Sequence, residues 1–156
     1  MEQHIKFNFD ALKASRVVQV NFLKQYSFEQ LTAIPKGFTN SILWNFGHIV
    51  VSQHLLTYGL SNGVLKIDRE LISKYKRGAT GKENVSEEEF DSFLKQSDAL
   101  VDHLIEDYGS LKKNTFRPFV TGLNAELNSL DDAITFNNTH EGIHLGVMMS
   151  IAKLIK

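Results

Sequence analysis

The chain has 156 residues, 42% of them apolar and 22% charged, the balance of an ordinary soluble domain. Seventeen basic against eighteen acidic residues give a net charge of −1, which excludes the basic excess of a nucleic-acid scaffold. There is no cysteine, so disulfides, thiolate ligands and a thiolate nucleophile of the chain's own are excluded.

The N-terminus lacks a signal-peptide pattern, and no apolar run approaches the ~20 residues that span a bilayer. A single cytoplasmic domain over residues 1–156 is therefore expected. The first helix is expected from about Phe7 to Tyr26, with Ala11, Ala14, Val18, Phe22 and Tyr26 as its apolar stripe. Ser27 to Phe38, containing Pro35 and Gly37, reads as a connection with one turn at Phe28 to Leu31. A second helix starts at an N-cap of Thr39 or Asn40 and runs to Tyr58, where Gly59 supplies the C-cap. Its stripe is Ile42, Phe46, Ile49, Gln53 and Leu56. Gly59 to Val85 holds glycines 59, 63, 78 and 81 and reads as a long linker with a short helix at Arg69 to Tyr75. Linkers of this length in compact domains are often functional.

The third helix opens on the capping-box pattern Ser86-Glu87-Glu88-Glu89. Phe90, Phe93, Leu94, Ser97, Val101, Leu104 and Tyr108 form its stripe, and Gly109 ends it. Thr115 to Asn128 reads as extended and irregular. The fourth helix follows Ser129, with Asp131 and Asp132 favouring its dipole, and runs through Ile134, His144, Val147, Ile151 and Leu154 to the C-terminus. Four amphipathic helices without a convincing strand predict an all-α four-helix bundle. The linker between helices 2 and 3 is long enough to span a ~30 Å helix, which allows those two helices to run parallel.

His140-Glu141-Gly142-Ile143-His144 is the first segment that carries chemistry. Residues four apart lie ~40° apart around a helix, so both imidazoles project from one face, one turn apart. That face points into the bundle, where unpartnered imidazoles are costly. They are ligands of one ion, core histidines satisfied by other groups, or histidines at a solvent-filled end of the bundle. His48, inside helix 2 beside Trp44, Asn45 and Ser52, offers a third nitrogen. Three neutral imidazoles from facing helices leave coordination positions open. Nitrogen-only ligation suits Zn, Ni, Fe or Mn better than Ca or Mg.

His54, ~120° around the helix from His48, reads as a surface or partner-contact residue, and His4 and His103 fit no constellation. Asn137, one turn before His140, reads as a hydrogen-bond partner that fixes a ligand tautomer. Glu141, ~100° off the ligand line, reads as an acceptor for a ligand, as a base, or as a solvated charge, the last being the commoner fate. The eleven phenylalanines serve a core as readily as a substrate pocket. Arg117 and the cluster Lys74, Lys76 and Arg77 read as surface charge, with contact to an anionic substrate as the alternative.

Two segments and their order carry a family resemblance. Ser41-Ile42-Leu43-Trp44-Asn45-Phe46-Gly47-His48-Ile49, with its Trp-Asn-x-Gly-His core, and His140-Glu141-Gly142-Ile143-His144-Leu145-Gly146 are separated by the linker and helix 3. In this order they resemble the DinB-like family of metal-site proteins (not the DNA polymerase that shares the name), over nearly the whole chain. The resemblance implies a four-helix bundle of up-down-down-up topology, with a divalent metal held by His48, His140 and His144. It also implies a bacterial source and a homodimer, for which Gln53 and His54 are the candidate contact.

Relatives of this kind include bacillithiol S-transferases and mycothiol-dependent maleylpyruvate isomerases. The expected function is a divalent-metal-dependent enzyme, a transferase using a low-molecular-weight thiol bound at the three-histidine site. The alternatives are a metal-dependent hydrolase and a non-catalytic metal- or ligand-binding stress-response module. Zn or Ni is the first expectation for the metal, with Fe or Mn next. The expected partners are a small-molecule substrate and a second copy of the chain, with neither nucleic acid nor membrane. No catalytic residue is assigned.

Overall fold

The computed structural model describes residues 2–79 and 85–155; Gly81 of the linker lies outside them. Four long helices build the bundle: α1 (Gln3–Leu23), α3 (Ile42–His54), α5 (Glu87–Leu111) and α6 (Leu130–Ala152). Two short ones, α2 (Phe28–Thr32) and α4 (Arg69–Tyr75), sit in the connections. Each long helix after the first starts where a serine hydroxyl takes up an orphan amide. Ser41 accepts from the Trp44 amide, Ser86 from Glu89 and Ser129 from Asp132, each at 3.1 Å. The α3 cap is thus Ser41, not Thr39 or Asn40. Only half of the expected capping box forms at Ser86, because the Glu89 carboxylate turns to Lys74. The complete box is instead at α2, between Ser27 and Gln30.

Two apolar clusters fix the helix directions. One end of the bundle gathers Leu23, Ile42, Phe46, Phe90, Phe93 and Ile151. The other gathers Ile5, Phe9, Tyr58, Leu104, Tyr108 and Ile134. The start of α1 therefore lies beside the ends of α3 and α5 and the start of α6. The order is up-down-down-up, and the linker between α3 and α5 makes the return that a parallel pair requires. Among the described residues no helix is long and apolar enough to cross a membrane.

Beyond His54, α3 widens into a π turn, Leu55–Gly59, closed by a bond from the Leu60 amide to the Leu55 carbonyl at 3.2 Å. The stretch read as irregular contains a small antiparallel hairpin, β1 (Phe119–Val120) and β2 (Glu126–Leu127). Thr121 and Asn124 close it: the Thr121 hydroxyl accepts from the Ala125 amide at 3.1 Å, and Asn124 takes a left-handed φ of 58°.

The stripes expected for α3 and α5 are buried almost as read. That of α1 is rotated. The face that enters the core is Ile5, Phe9, Leu12, Arg16, Gln19 and Leu23, while Val18 is 54% exposed. The face of α6 likewise passes through Asn137 and Glu141. These polar residues meet between the two apolar clusters. Arg16 Nη2 donates to Glu141 Oε1 at 2.8 Å and to Gln53 Oε1 at 3.0 Å, while Gln19 and Asn137 donate to the same carboxylate at 3.0 and 2.9 Å. Arg16 Nη1 also reaches the Ser97 carbonyl of α5 at 3.2 Å. The ion pair is 1% and 0% exposed, so its charges are tolerated only because each is met by the other and by amides.

Candidate metal centre

His48 projects from the middle of α3, and His140 and His144 from the middle of α6, towards one another. One ring nitrogen of each lies within 4.8 Å of the other two. The ring centroids are 5.2 Å apart for His48–His140, 4.8 Å for His48–His144 and 4.6 Å for His140–His144.

Two of the three tautomers are set by neighbours. His48 Nδ1–H donates to the Tyr75 carbonyl at 2.7 Å, leaving the Nε2 lone pair facing inward, where the Ser52 hydroxyl lies 3.3 Å away. His144 Nδ1–H donates to Asn45 Oδ1 at 2.7 Å, and Asn45 is held in turn by its amide on the Ser41 carbonyl at 2.8 Å. His140 Nδ1 is buried with no hydrogen-bond partner among the described residues. An acceptor on the far ring nitrogen, as at His48 and His144, orients a ligand ring and raises its basicity.

The Trp-Asn-x-Gly-His core of α3 thereby acquires a physical account. The last carbonyls of α4 have no partner within their own helix. Trp44 Nε1 takes that of Lys74 at 3.2 Å and His48 takes that of Tyr75. Residue 47 must be small for α4 to come this close, because a Cβ there would stand 2.4 Å from the Tyr75 ring. Trp44 also stacks on His48, with centroids 4.9 Å apart and planes 8° from parallel.

Burial lowers the proton affinity of all three imidazoles. His140 is pushed down to about 3, by desolvation first and then by its two neighbours. His144 falls to about 4, by desolvation and then His48. His48 is lowered by desolvation, and the nearby Arg77 charge adds to this. Three converging nitrogens held neutral, two with lone pairs aimed inward and no carboxylate or sulfur among them, fit a divalent transition metal.

The trio forms the floor of a cleft of about 400 Å³. Leu55 and Leu56 of the π turn, Phe136 and Ile143 of α6, and Phe119 and Leu123 of the hairpin give it apolar walls, with Arg77 at the side. The hairpin, the Tyr75 carbonyl and the role of Asn45 escaped the sequence reading. Only Asn45 left a signal there, as part of the motif around His48.

Other expectations are corrected. His54 is not on the surface: it is wholly buried and stacks on Tyr58 at 5.0 Å. Gln53 is equally buried, so neither residue offers an interface. Glu141 is neither solvated nor in the cleft but locked to Arg16, and Asn137 bonds Glu141 instead of His140. Of the basic cluster, Lys74 is held by Glu89 and Glu70, while Arg77 lines the cleft.

No curated protein matches the chain. The family model described as the DinB superfamily matches residues 11–148, a span that contains all three histidines and most of the bundle. The chain belongs to the DinB superfamily.

Proposed function

We propose that this protein is a divalent-metal-dependent enzyme, a transferase that works with a low-molecular-weight thiol, with His48, His140 and His144 holding the metal. The observation that carries the reading is the convergence of three neutral imidazoles at the floor of an open, apolar-walled cleft. Zn or Ni is the expected ion, and Fe or Mn the next. Three protein ligands leave positions for exogenous groups, the arrangement of catalytic rather than structural sites. A divalent ion held there supplies Lewis acidity, which lowers the pKa of a thiol or water that it coordinates. Since the chain has no cysteine, the sulfur must come from a soluble thiol.

The chain's own groups prepare the site. The Tyr75 carbonyl and Asn45 hold two rings in the ligand tautomer. Desolvation keeps all three free of protons at neutral pH. The apolar walls exclude water from the reacting end of a bound molecule. The thiol reading is favoured over hydrolysis because no carboxylate lines the cleft among the described residues to act as base towards water. Glu141, the nearest candidate in sequence, is committed to Arg16.

The test is transfer to an electrophile such as monochlorobimane by Zn- or Ni-loaded protein, with and without added thiol. Thiol-dependent turnover that disappears in His140→Ala supports the reading. Turnover of ester or amide substrates without thiol would replace it by the hydrolase, and metal binding without any turnover by a binding module.

A homodimer, cytoplasmic and with a small-molecule substrate, belongs to the same proposal. It must use a face other than Gln53 and His54, and sedimentation at micromolar concentration showing only a monomer would remove it.

A further inference from the structure

The basic cluster at the end of α4 divides in two. Lys74 is satisfied by Glu89 and Glu70, but Arg77 turns into the cleft above the histidines. Among the described residues that line this cleft, Arg77 carries the only permanent charge, and no carboxylate faces it. Its guanidinium lies against the hairpin at Gly122. A Cβ built there would be 3.3 Å from Nη1 and 3.6 Å from Cζ, so the glycine leaves the room in which the guanidinium sits. The opposite walls are hydrocarbon: Leu55, Leu56, Phe136 and Ile143, with Phe119 and Leu123 above. The volume, about 400 Å³, is that of a small-molecule site. A guanidinium presents a planar fork of donors that matches a carboxylate in two parallel hydrogen bonds, a geometry that a lysine does not offer.

We propose that Arg77 is the anion anchor of this cleft, and that the ligand is a small organic carboxylate whose apolar body lies between the hairpin and α6, with its other end towards the histidines. The inference deepens the proposed function, and rests on that reading only for the cleft being the reaction site. Arg77 fixes the ligand at the side wall, about which the metal-binding residues say nothing. Gly122 leaves the space beside the hairpin that the guanidinium occupies.

The experiment uses 4-phenylbutyrate as the probe and 4-phenylbutan-1-ol as its uncharged counterpart. Both are titrated calorimetrically into the full chain, once metal-free and once with one equivalent of Zn, with metal content measured on the same samples. The carboxylate is expected to bind the metal-free protein at least about tenfold tighter than the alcohol, the worth of one charge-assisted contact. Arg77→Gln should remove that preference while leaving binding of the alcohol and the Zn content unchanged. Arg77→Lys should retain part of it. Arg77 is exposed, so these substitutions leave the core untouched.

Equal binding of the two probes, no binding of either, or an unchanged preference in Arg77→Gln would overturn the proposal. A preference seen only with Zn present would also overturn it, because the carboxylate would then be sitting on the metal. Arg77-dependent binding in a protein that takes up no Zn would leave the anchor standing and refute the metal reading; Zn uptake with no Arg77 dependence would do the reverse.

Discussion

Gly47→Ala tests how the site is supported without touching a ligand. The added methyl would stand 2.4 Å from Cδ1 and 2.6 Å from Cε1 and Cγ of Tyr75. Carbon atoms rest at ~3.5–4.0 Å, so the ring must retreat by about 1 Å. It has little freedom to do so, being 2% exposed and stacked on Phe93 at 5.8 Å. The retreat carries with it the Tyr75 carbonyl, which accepts from His48 Nδ1 at 2.7 Å, and a displacement of that size breaks the bond.

Overpacking of this kind costs ~1–3 kcal/mol. Alanine regains ~1 kcal/mol of helix propensity over glycine. The net loss is thus ~0–2 kcal/mol, and Tm falls by at most about 8 °C. The sharper effect is on the ligand that loses its orienting acceptor, for which metal affinity drops by roughly 10–100-fold. A chelator-competition titration with Zn reads the affinity, and thermal unfolding controls for the fold. Gly47→Ala/Tyr75→Ala, which removes the clashing ring but keeps the carbonyl, should recover much of the affinity. A folded Gly47→Ala with wild-type Zn affinity would show that the α4 carbonyl does not support His48.

Arg16→Met leaves the Glu141 charge buried without its partner and should cost ~3–5 kcal/mol, whereas Arg16→Met/Glu141→Leu should recover most of that; denaturant unfolding in which the double variant is no more stable than the single one would refute this account of the polar layer. Beside the three histidines of the site, His54 contributes its own share to the pH dependence of stability: its proton affinity falls to about 4 through burial first, then the charges of Arg16 on α1, His103 on α5 and Lys66 in the linker. Its folded value lies below the unfolded ~6.5, so the unfolded chain takes the proton first. The contribution of His54 is therefore full above pH ~6.5 and declines by about 3 kcal/mol as pH falls to ~4. His54→Phe, which keeps a ring on Tyr58, should make that decline shallower in the metal-free protein by the His54 share, and an unchanged slope would refute this contribution.

The fold was legible in the sequence where burial is apolar and local. The stripes Ile42-Phe46-Ile49 and Phe90-Phe93-Val101-Leu104 predict the inward faces of α3 and α5 because no charged residue interrupts them, Ser97 being small and neutral. On α1, Arg16 and Gln19 look like surface residues, and the apparent stripe rotates to Val18. Their burial depends on Glu141, 125 and 122 residues away, and no local periodicity reports such a partner. The same blindness made Glu141 read as solvated and His54 as exposed. The ligand trio was legible because His140 and His144 share a helix face and His48 sits in a recognisable segment. Its support was not. Tyr75 contributes a backbone carbonyl, to which any residue type is equal, and Gly47 acts by an absence of atoms that matters only once α4 packs against it. The hairpin over the cleft comprises two strands of two residues each, too short for alternation to show.

The central claim, that His48, His140 and His144 take up one ion together, has a reporter built into the chain. Trp44 is the only tryptophan and stacks on His48, so a paramagnetic ion at the site should quench its fluorescence. Ni or Co is titrated into metal-free protein at pH 7.5, with elemental analysis of the saturated sample. The expected result is quenching that ends at one equivalent and is abolished, with the bound metal, in His48→Ala, His140→Ala and His144→Ala alike. Stoichiometric metal in all three variants, or no saturable quenching in the wild-type chain, would contradict it.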